Sequence, residues 1–220
     1  MPRKIITSQI PNTIPPASAR KYYDFWGRRY DWFGFFESRA KTRALELLDL
    51  SPGVSLLNVG IGTGKEFQDN ADRMRTGGRF YGLDLSMEML RVARDRSQPI
   101  VCQADGGNLP FGIGEFDRLY AAYVLDLVPT AELPLWLRGF QRVLRPGGRL
   151  VLLTLTEGVT AASRAFVKLW KAAYNLNPLA CGGCRPLQLT NLVQQTGFSS
   201  TYSEIIVQLG IPSQVILAYS

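Results

Sequence analysis

The chain is expected to fold as an α/β domain, a mainly parallel sheet with helices on both faces. Three observations predict this. From Val54 onward short apolar runs alternate with amphipathic segments, the links between runs are long enough for crossover helices, and the first run ends in alternating glycines. Links of a dozen or more residues fit crossover connections between parallel strands. The 220 residues, 46% hydrophobic and 20% charged, suit a single domain near the upper size that one core supports.

The elements follow in order. Between Lys21 and Leu50, Tyr22, Phe25, Trp26, Tyr30, Ala40, Ala44, Leu47 and Leu48 recur at helical spacing, which predicts two helices broken near Phe33-Gly34. Ser51-Pro52-Gly53 closes them as a turn. Strands are expected over Val54 to Val59, Arg79 to Leu83, Ile100 to Cys102, Phe116 to Ala121 and Arg149 to Leu155, the last introduced by the turn Arg145-Pro146-Gly147-Gly148. Helices are expected over Glu66 to Met74, over Ser86 to Arg96 with a serine cap, and over Ala131 to Leu144. Beyond these come a helix from Thr160 to Tyr174, a Cys-Gly-Gly-Cys loop and a helix from Pro186 to Thr196. The last runs, Thr201 to Val207 and Val215 to Ala218, leave no room for a helix between them and predict an antiparallel pair finishing the sheet. Ligands of such sheets bind outside the carboxyl ends of the strands.

Composition excludes several classes. No uninterrupted apolar run reaches the roughly 18 residues of a membrane span. The first twenty residues hold Pro2, Pro11, Pro15 and Pro16 without an apolar segment, so no secretory signal peptide is expected, though their lack of Asp and Glu is mildly transit-like. Three cysteines argue against a disulfide scaffold and for a reducing, cytoplasmic setting. There is no histidine, which removes His-dependent triads, imidazole bases and His-ligated metals together. Chemistry is left to carboxylates, tyrosines, lysines, a thiol or a reactive cofactor. The balance of 25 basic to 18 acidic residues, +7, favours anionic surfaces without naming one.

The motif Leu56-Leu57-Asn58-Val59-Gly60-Ile61-Gly62-Thr63-Gly64 runs from a strand into a glycine curve and a helix start. Glycines there admit positive φ and close approach of a ligand to backbone amides. The spacing is Gly-x-Gly-x-Gly, which meets neither the dinucleotide fingerprint nor the Walker loop, since Val59 and Glu66 stand where the latter needs glycine and Ser or Thr. Asp84 ends the next strand a little over twenty residues beyond Gly60, where an acid can accept both hydroxyls of a ribose. The plainer reading is a helix cap, for which Ser86 is better placed. Asp105-Gly106-Gly107 follows the third strand, where a carboxylate can accept from an adenine amino group, or the sequence is simply a turn.

In that order, Asn58 to Gly64, Gly82-Leu83-Asp84-Leu85-Ser86 with Met89-Leu90, Ala104-Asp105 with Leu109-Pro110-Phe111, Phe116-Asp117 and Arg142 to Gly148 resemble the class I S-adenosylmethionine-dependent methyltransferases. The likeness is greatest to ubiquinone/menaquinone C-methyltransferases and soluble bacterial phosphatidylethanolamine N-methyltransferases. Tyr23-Asp24 and Tyr30-Asp31 resemble the paired Tyr-Asp segment with which many of them begin, and Gly183 to Pro186 and Thr196 to Phe198 are fainter C-terminal likenesses. The resemblance implies a Rossmann-like seven-stranded sheet with an antiparallel last strand. It implies residues 1–50 as an arm of aromatic-rich helices, a lid or cap, and residues 51–220 as the donor-binding domain. Carried over, Asn58, Gly60, Ile61, Gly62 and Gly64 would meet the donor's amino-acid part, Asp84 its ribose, Leu85 the adenine face, Asp105 and Gly106 the adenine edge, and Ala121 the region of the sulfonium. The family usually has Asp or Glu where Asn58 stands, so charge assistance is lost at that position.

The function this implies is methyl transfer from S-adenosyl-L-methionine to a small or lipid-like acceptor, a quinol or aminophospholipid first. The alternatives are a non-catalytic donor-binding scaffold or partner subunit, and a nicotinamide oxidoreductase that the glycine spacing disfavours. Tyr30, Tyr123 and Asp126 are the candidates for deprotonating an acceptor. Tyr22, Tyr23, Phe25, Trp26, Tyr30, Trp32 and Phe33 are either core or a hydrophobic lid. With the +7 charge they allow transient docking on an anionic membrane. No dense basic stripe points to nucleic acid. Cys181 and Cys184, with only Cys102 besides, cannot make a four-thiolate zinc site, and Arg185 beside them either meets an anionic head group or bonds to a helix end.

Overall fold

The computed structural model describes residues 13–32, 34–70 and 77–220. The expectations resting on Pro2, Pro11, Phe33 and residues 71–74 lie outside them. A seven-stranded sheet runs in the order β3-β2-β1-β4-β5-β7-β6. Its strands are β1 (Ser55–Val59), β2 (Arg79–Asp84), β3 (Ile100–Gln103), β4 (Phe116–Ala122), β5 (Leu144–Leu155), β6 (Ser199–Gln208) and β7 (Ile211–Tyr219). β1 to β5 pair in parallel, while β7 pairs antiparallel with both β5 and β6. Leu209 and Gly210, both at positive φ, make the tight reversal between β6 and β7. The predicted closing pair is therefore present, inserted with β7 inside and β6 at the edge.

Alternation along the strands divides the core into two layers. Leu57 and Val59 of β1, with Leu150 and Leu152 of β5, face one layer; Leu56, Val151 and Leu153 face the other. Against the sheet lie α1 (Pro16–Trp26), α2 (Ser38–Leu48), α3 (Met87–Ser97), α4 (Leu133–Val143), α5 (Ala161–Leu176) and α6 (Thr190–Gln195). α4 presents Leu133, Leu137, Phe140 and Val143 to the first layer, each side chain contributing roughly 1.5–3 kcal/mol by burial. α2 covers the second with Ala40, Ala44 and Leu48, joined by Leu90 and Ala93 of α3.

Several boundaries differ from the sequence reading, and the helix expected from Glu66 is, as far as the described residues run, a 3-10 helix over Lys65–Asn70. The first helix begins at Pro16, with proline at its start, and ends at Gly27 rather than near Phe33-Gly34, the chain continuing as tight turns over Gly27–Trp32. Gly27 has φ 45°, and a Cβ there would sit 3.3 Å from Glu88 Cγ, so the chain turns where it meets the start of α3. The segment before α6 is not helical, because the Leu187 amide donates to the Leu155 carbonyl and the Leu187 carbonyl accepts from Thr156 Oγ1. Finally, Arg145 to Gly148 continue β5: Gly147 and Ser220 amides bond across to Ser220 and Gly148 carbonyls, and this tertiary pairing holds the segment extended. No helix among the described residues is long and apolar enough to cross a membrane.

Candidate donor and acceptor site

The carboxyl ends of β1, β2, β3 and β4 open into one cavity of about 720 Å³. The glycine curve leaves β1 with the Gly60 and Ile61 amides donating to the Leu83 carbonyl at 2.7 and 3.0 Å, which fastens it to β2. Gly60 has φ 68°, and a Cβ there would lie 2.0 Å from Val124 Cγ2, so only glycine lets the curve pass the β4 exit. Gly62 has φ 54° and faces open space. Its amide donates to Asp84 Oδ2 at 2.9 Å while Ser86 donates to Oδ1, also at 2.9 Å. Burial pushes the Asp84 carboxyl up to about 6, against these amide bonds, which pull it down, and Asp24 adds to the rise.

Gly60, Ile61, Gly62, Gly64, Asp84, Leu85, Asp105, Gly106, Tyr30 and Tyr123 all line this cavity. Asn58, Ala121 and Asp126 do not. Asn58 is fully buried beneath the curve, with neither amide atom hydrogen-bonded among the described residues. Ala121 points into the first core layer by strand alternation, and Ala122 takes its place on the wall. Asp126 is likewise fully buried. Its Oδ2 accepts from the Leu155 amide at 2.9 Å, and burial drives its pKa well above the carboxylate range. The side chain ties β5 to the β4 exit and lies off the cavity wall, an arrangement that supports a structural role over the expected one as a base.

Tyr123 stands at φ 54°, unusual for a bulky residue, with its hydroxyl 2.7 Å from Ser213 Oγ. Burial, with the charge of Glu37, holds the Tyr123 phenol well above its usual range. Burial raises Tyr30 as well, helped by Cys184 and Glu37. Both phenols therefore stay protonated near neutral pH and are suited to donating hydrogen bonds rather than removing protons.

The aromatic arm divides between inside and outside. Tyr23 donates to the Gly182 carbonyl at 3.1 Å and packs edge-on against Tyr30, whereas Phe25, Trp32 and Phe35 are exposed at 72%, 75% and 65%. The arm's acids turn inward. Asp24 accepts from Ser86 Oγ at 2.5 Å, and Asp31 accepts from Thr63 Oγ1 at 2.6 Å and pairs with Arg96 at 2.6 Å. The arm is thus fastened to both the glycine curve and α3, over the cavity.

Trp136 of α4, Thr63, Asp31 and the trio Glu37, Lys41 and Glu66 also line the cavity, and sequence reasoning did not single them out as site residues. Trp136 packs against Gly106 and Gly107. Glu37 and Lys41 are legible as an i,i+4 pair; their meeting with Glu66 is not, because it joins α2 to the segment after the glycine curve. Cys181 and Cys184 are free, buried thiols pushed up by burial, and Arg185 donates to the Val128 carbonyl in the interior. Six carboxylates (Asp31, Glu37, Glu66, Asp84, Asp105 and Glu132) against three bases (Arg20, Lys41 and Lys65) make the wall acidic, a charge that suits a cationic ligand.

Residues 57–152 match the family model described as "Methyltransferase domain". Demethylmenaquinone methyltransferase of Corynebacterium urealyticum is 34% identical over 149 residues, covering 66% of this chain and 62% of that protein. Malonyl-[acyl-carrier protein] O-methyltransferase of Erwinia pyrifoliae is 31% identical over 168 residues, 74% of this chain and 62% of that one. The chain thus spans about three fifths of the length of these relatives. Magnesium protoporphyrin IX methyltransferase of Synechocystis, solved with bound S-adenosylhomocysteine, superposes with TM-score 0.67 at 17% identity over 93% of this chain and 98% of that one. At such identity the likeness concerns the fold. Motif order, sheet topology and matched domain agree: residues 57–152 match a methyltransferase domain, and in these features the chain is similar to the class I S-adenosylmethionine-dependent methyltransferases.

Proposed function

We propose that this protein transfers a methyl group from S-adenosyl-L-methionine to a small or lipid-like acceptor, a quinol or an aminophospholipid. One observation carries the reading: glycine curve, Asp84 and Asp105-Gly106 face a single cavity, with Asp84 already bonded to the Gly62 amide. The residues present fit the donor. Open space at Gly62 admits a ligand against backbone, Asp84 offers acceptor oxygens to a diol, and the acidic wall suits a sulfonium. The relatives' names, demethylmenaquinone methyltransferase and malonyl-[acyl-carrier protein] O-methyltransferase, support quinone-type or other small-molecule acceptors.

When bound, the donor supplies an electrophilic methyl group on a sulfonium. The chain's part is to position and to exclude water. The glycine curve and Asp84 orient one reactant, and Tyr23, Tyr30, Phe35, Leu127 and Val128 offer an aromatic and aliphatic wall for the other. Tyr30 and Tyr123 can donate to an acceptor oxygen. Asp24 and Asp31, holding the arm down, keep water from the reacting centre. Residues 1–50 would then serve as lid, and the exposed Phe25, Trp32 and Phe35 with exposed Arg28 and Arg29 would meet an anionic lipid surface. The test is mass spectrometry of the protein as purified, followed by turnover with quinols and aminophospholipids. A retained adenosyl ligand with methylated product supports the reading. Ligand without turnover on any acceptor favours the non-catalytic alternative.

A further inference from the structure

Along the carboxyl edge of the sheet, Asp105 follows β3, Asp84 ends β2, the glycine curve follows β1 and Tyr123 follows β4. A donor laid with adenine at Asp105 and ribose at Asp84 has its amino-acid end near the β1 and β4 exits. That end carries an ammonium and a carboxylate, and each needs a counter-charge inside a cavity. Asn58, at the end of β1, supplies none: it is neutral, fully buried and off the wall.

Counter-charges of both signs stand at that end of the cavity. Lys41 Nζ lies 3.1 Å from Glu37 Oε2, 3.3 Å from Glu66 Oε2 and 5.8 Å from the centre of the Tyr123 ring. Glu66 follows Gly64 by two residues, so the cluster borders the glycine curve. All three side chains are mostly shielded, with 24%, 21% and 14% exposure for Lys41, Glu37 and Glu66. Burial works against the Lys41 charge, but Glu66 and Glu37 outweigh it and keep the ammonium protonated. Two carboxylates and one ammonium leave the cluster with a net negative charge, opposite to that of the donor.

We propose that Glu37, Lys41 and Glu66 form the receptor for the amino-acid end of the donor, Lys41 pairing with its carboxylate and the two glutamates with its ammonium. This rests on the methyl-donor reading above and deepens it. The counter-charge absent at Asn58 is supplied across the cavity, from α2 and the segment after the glycine curve.

The test compares two ligands by calorimetry on the full chain. S-adenosylhomocysteine carries the amino-acid end, and 5′-methylthioadenosine has the same adenine, ribose and sulfur without it. Glu66→Gln and Lys41→Met are expected to weaken S-adenosylhomocysteine binding by more than about tenfold and 5′-methylthioadenosine binding by less than about twofold. Retained binding of the shorter ligand also shows that the variants are folded. Equal losses for both ligands, or no loss for either, overturn the proposal. Failure of the unmodified protein to bind any adenosyl ligand overturns the methyl-donor reading itself, and this inference with it.

Discussion

The Gly62 amide donates to Asp84 Oδ2 at 2.9 Å, joining the glycine curve of β1 to the last residue of β2. The same carboxylate is the group expected to hold a ribose. Asp84→Ala should therefore act twice, removing the diol acceptor and loosening the curve, with donor affinity in calorimetry falling by more than about tenfold. Unchanged affinity would remove the ribose assignment.

Asp84 also sets a pH dependence. Its carboxyl is raised to about 6 by burial, so protonation on acidification removes acceptor capacity from the site. Donor affinity should decline as pH falls through about 6, and Asp84→Asn should bind weakly at all pH values without that inflection. For stability the sign is opposite. The folded state binds this proton more tightly than the unfolded chain, so the raised group costs stability above about pH 6, and that cost shrinks as pH falls towards the ordinary carboxylate range.

Asp126 offers a contrast between charge and hydrogen bonding. Its Oδ2 accepts from the Leu155 amide, while burial raises its pKa well above normal. Asp126→Asn keeps an acceptor and removes a buried ionisable group, so it should retain turnover and be at least as stable near neutral pH. Its advantage should shrink as acid protonates the natural residue. Asp126→Ala leaves the Leu155 amide unpaired and should cost about 1–3 kcal/mol in denaturant melts. Loss of turnover in a fully folded Asn variant would restore Asp126 as a catalytic candidate.

The clamp of Asp31 on Thr63 and Arg96 ties the arm to the donor site. Asp31→Ala leaves Arg96 without this shielded partner and should lower unfolding free energy by roughly 1–3 kcal/mol. Limited proteolysis should then cut earlier between α1 and α2. A variant with wild-type melting and proteolysis would show the clamp to be inert.

Exposed aromatics in the arm lead to a surface prediction. Phe25 and Trp32 are nearly three-quarters exposed beside exposed Arg28 and Arg29, while Asp24 and Asp31 are turned inward. The protein should pellet with anionic vesicles at low salt, release at high salt, and bind several-fold less after Phe25→Ser with Trp32→Ser. Absence of pelleting at low salt argues against a lipid surface.

The sheet was legible because its central strands are covered on both faces, so each position faces one buried layer or the other and the strand reads as a near-continuous apolar run such as Leu150 to Leu153. The serine cap of α3 was legible too, since Ser86 Oγ accepts locally from the Met89 amide at 3.1 Å. The end of α1, the length of α6 and the true course of Arg145 to Gly148 were not, because Glu88, Leu155 and Ser220, distant along the chain, bear on them.

For the site, local order in the sequence was enough to determine which backbone curves and which acids follow which strands, because each depends on a residue type at a strand end. Folding decided which of those side chains face the ligand. Asn58 and Asp126 went inside, Ala122 replaced Ala121, and Glu37, Lys41 and Glu66 met on one wall, since contacts between distant segments are set by packing rather than by spacing.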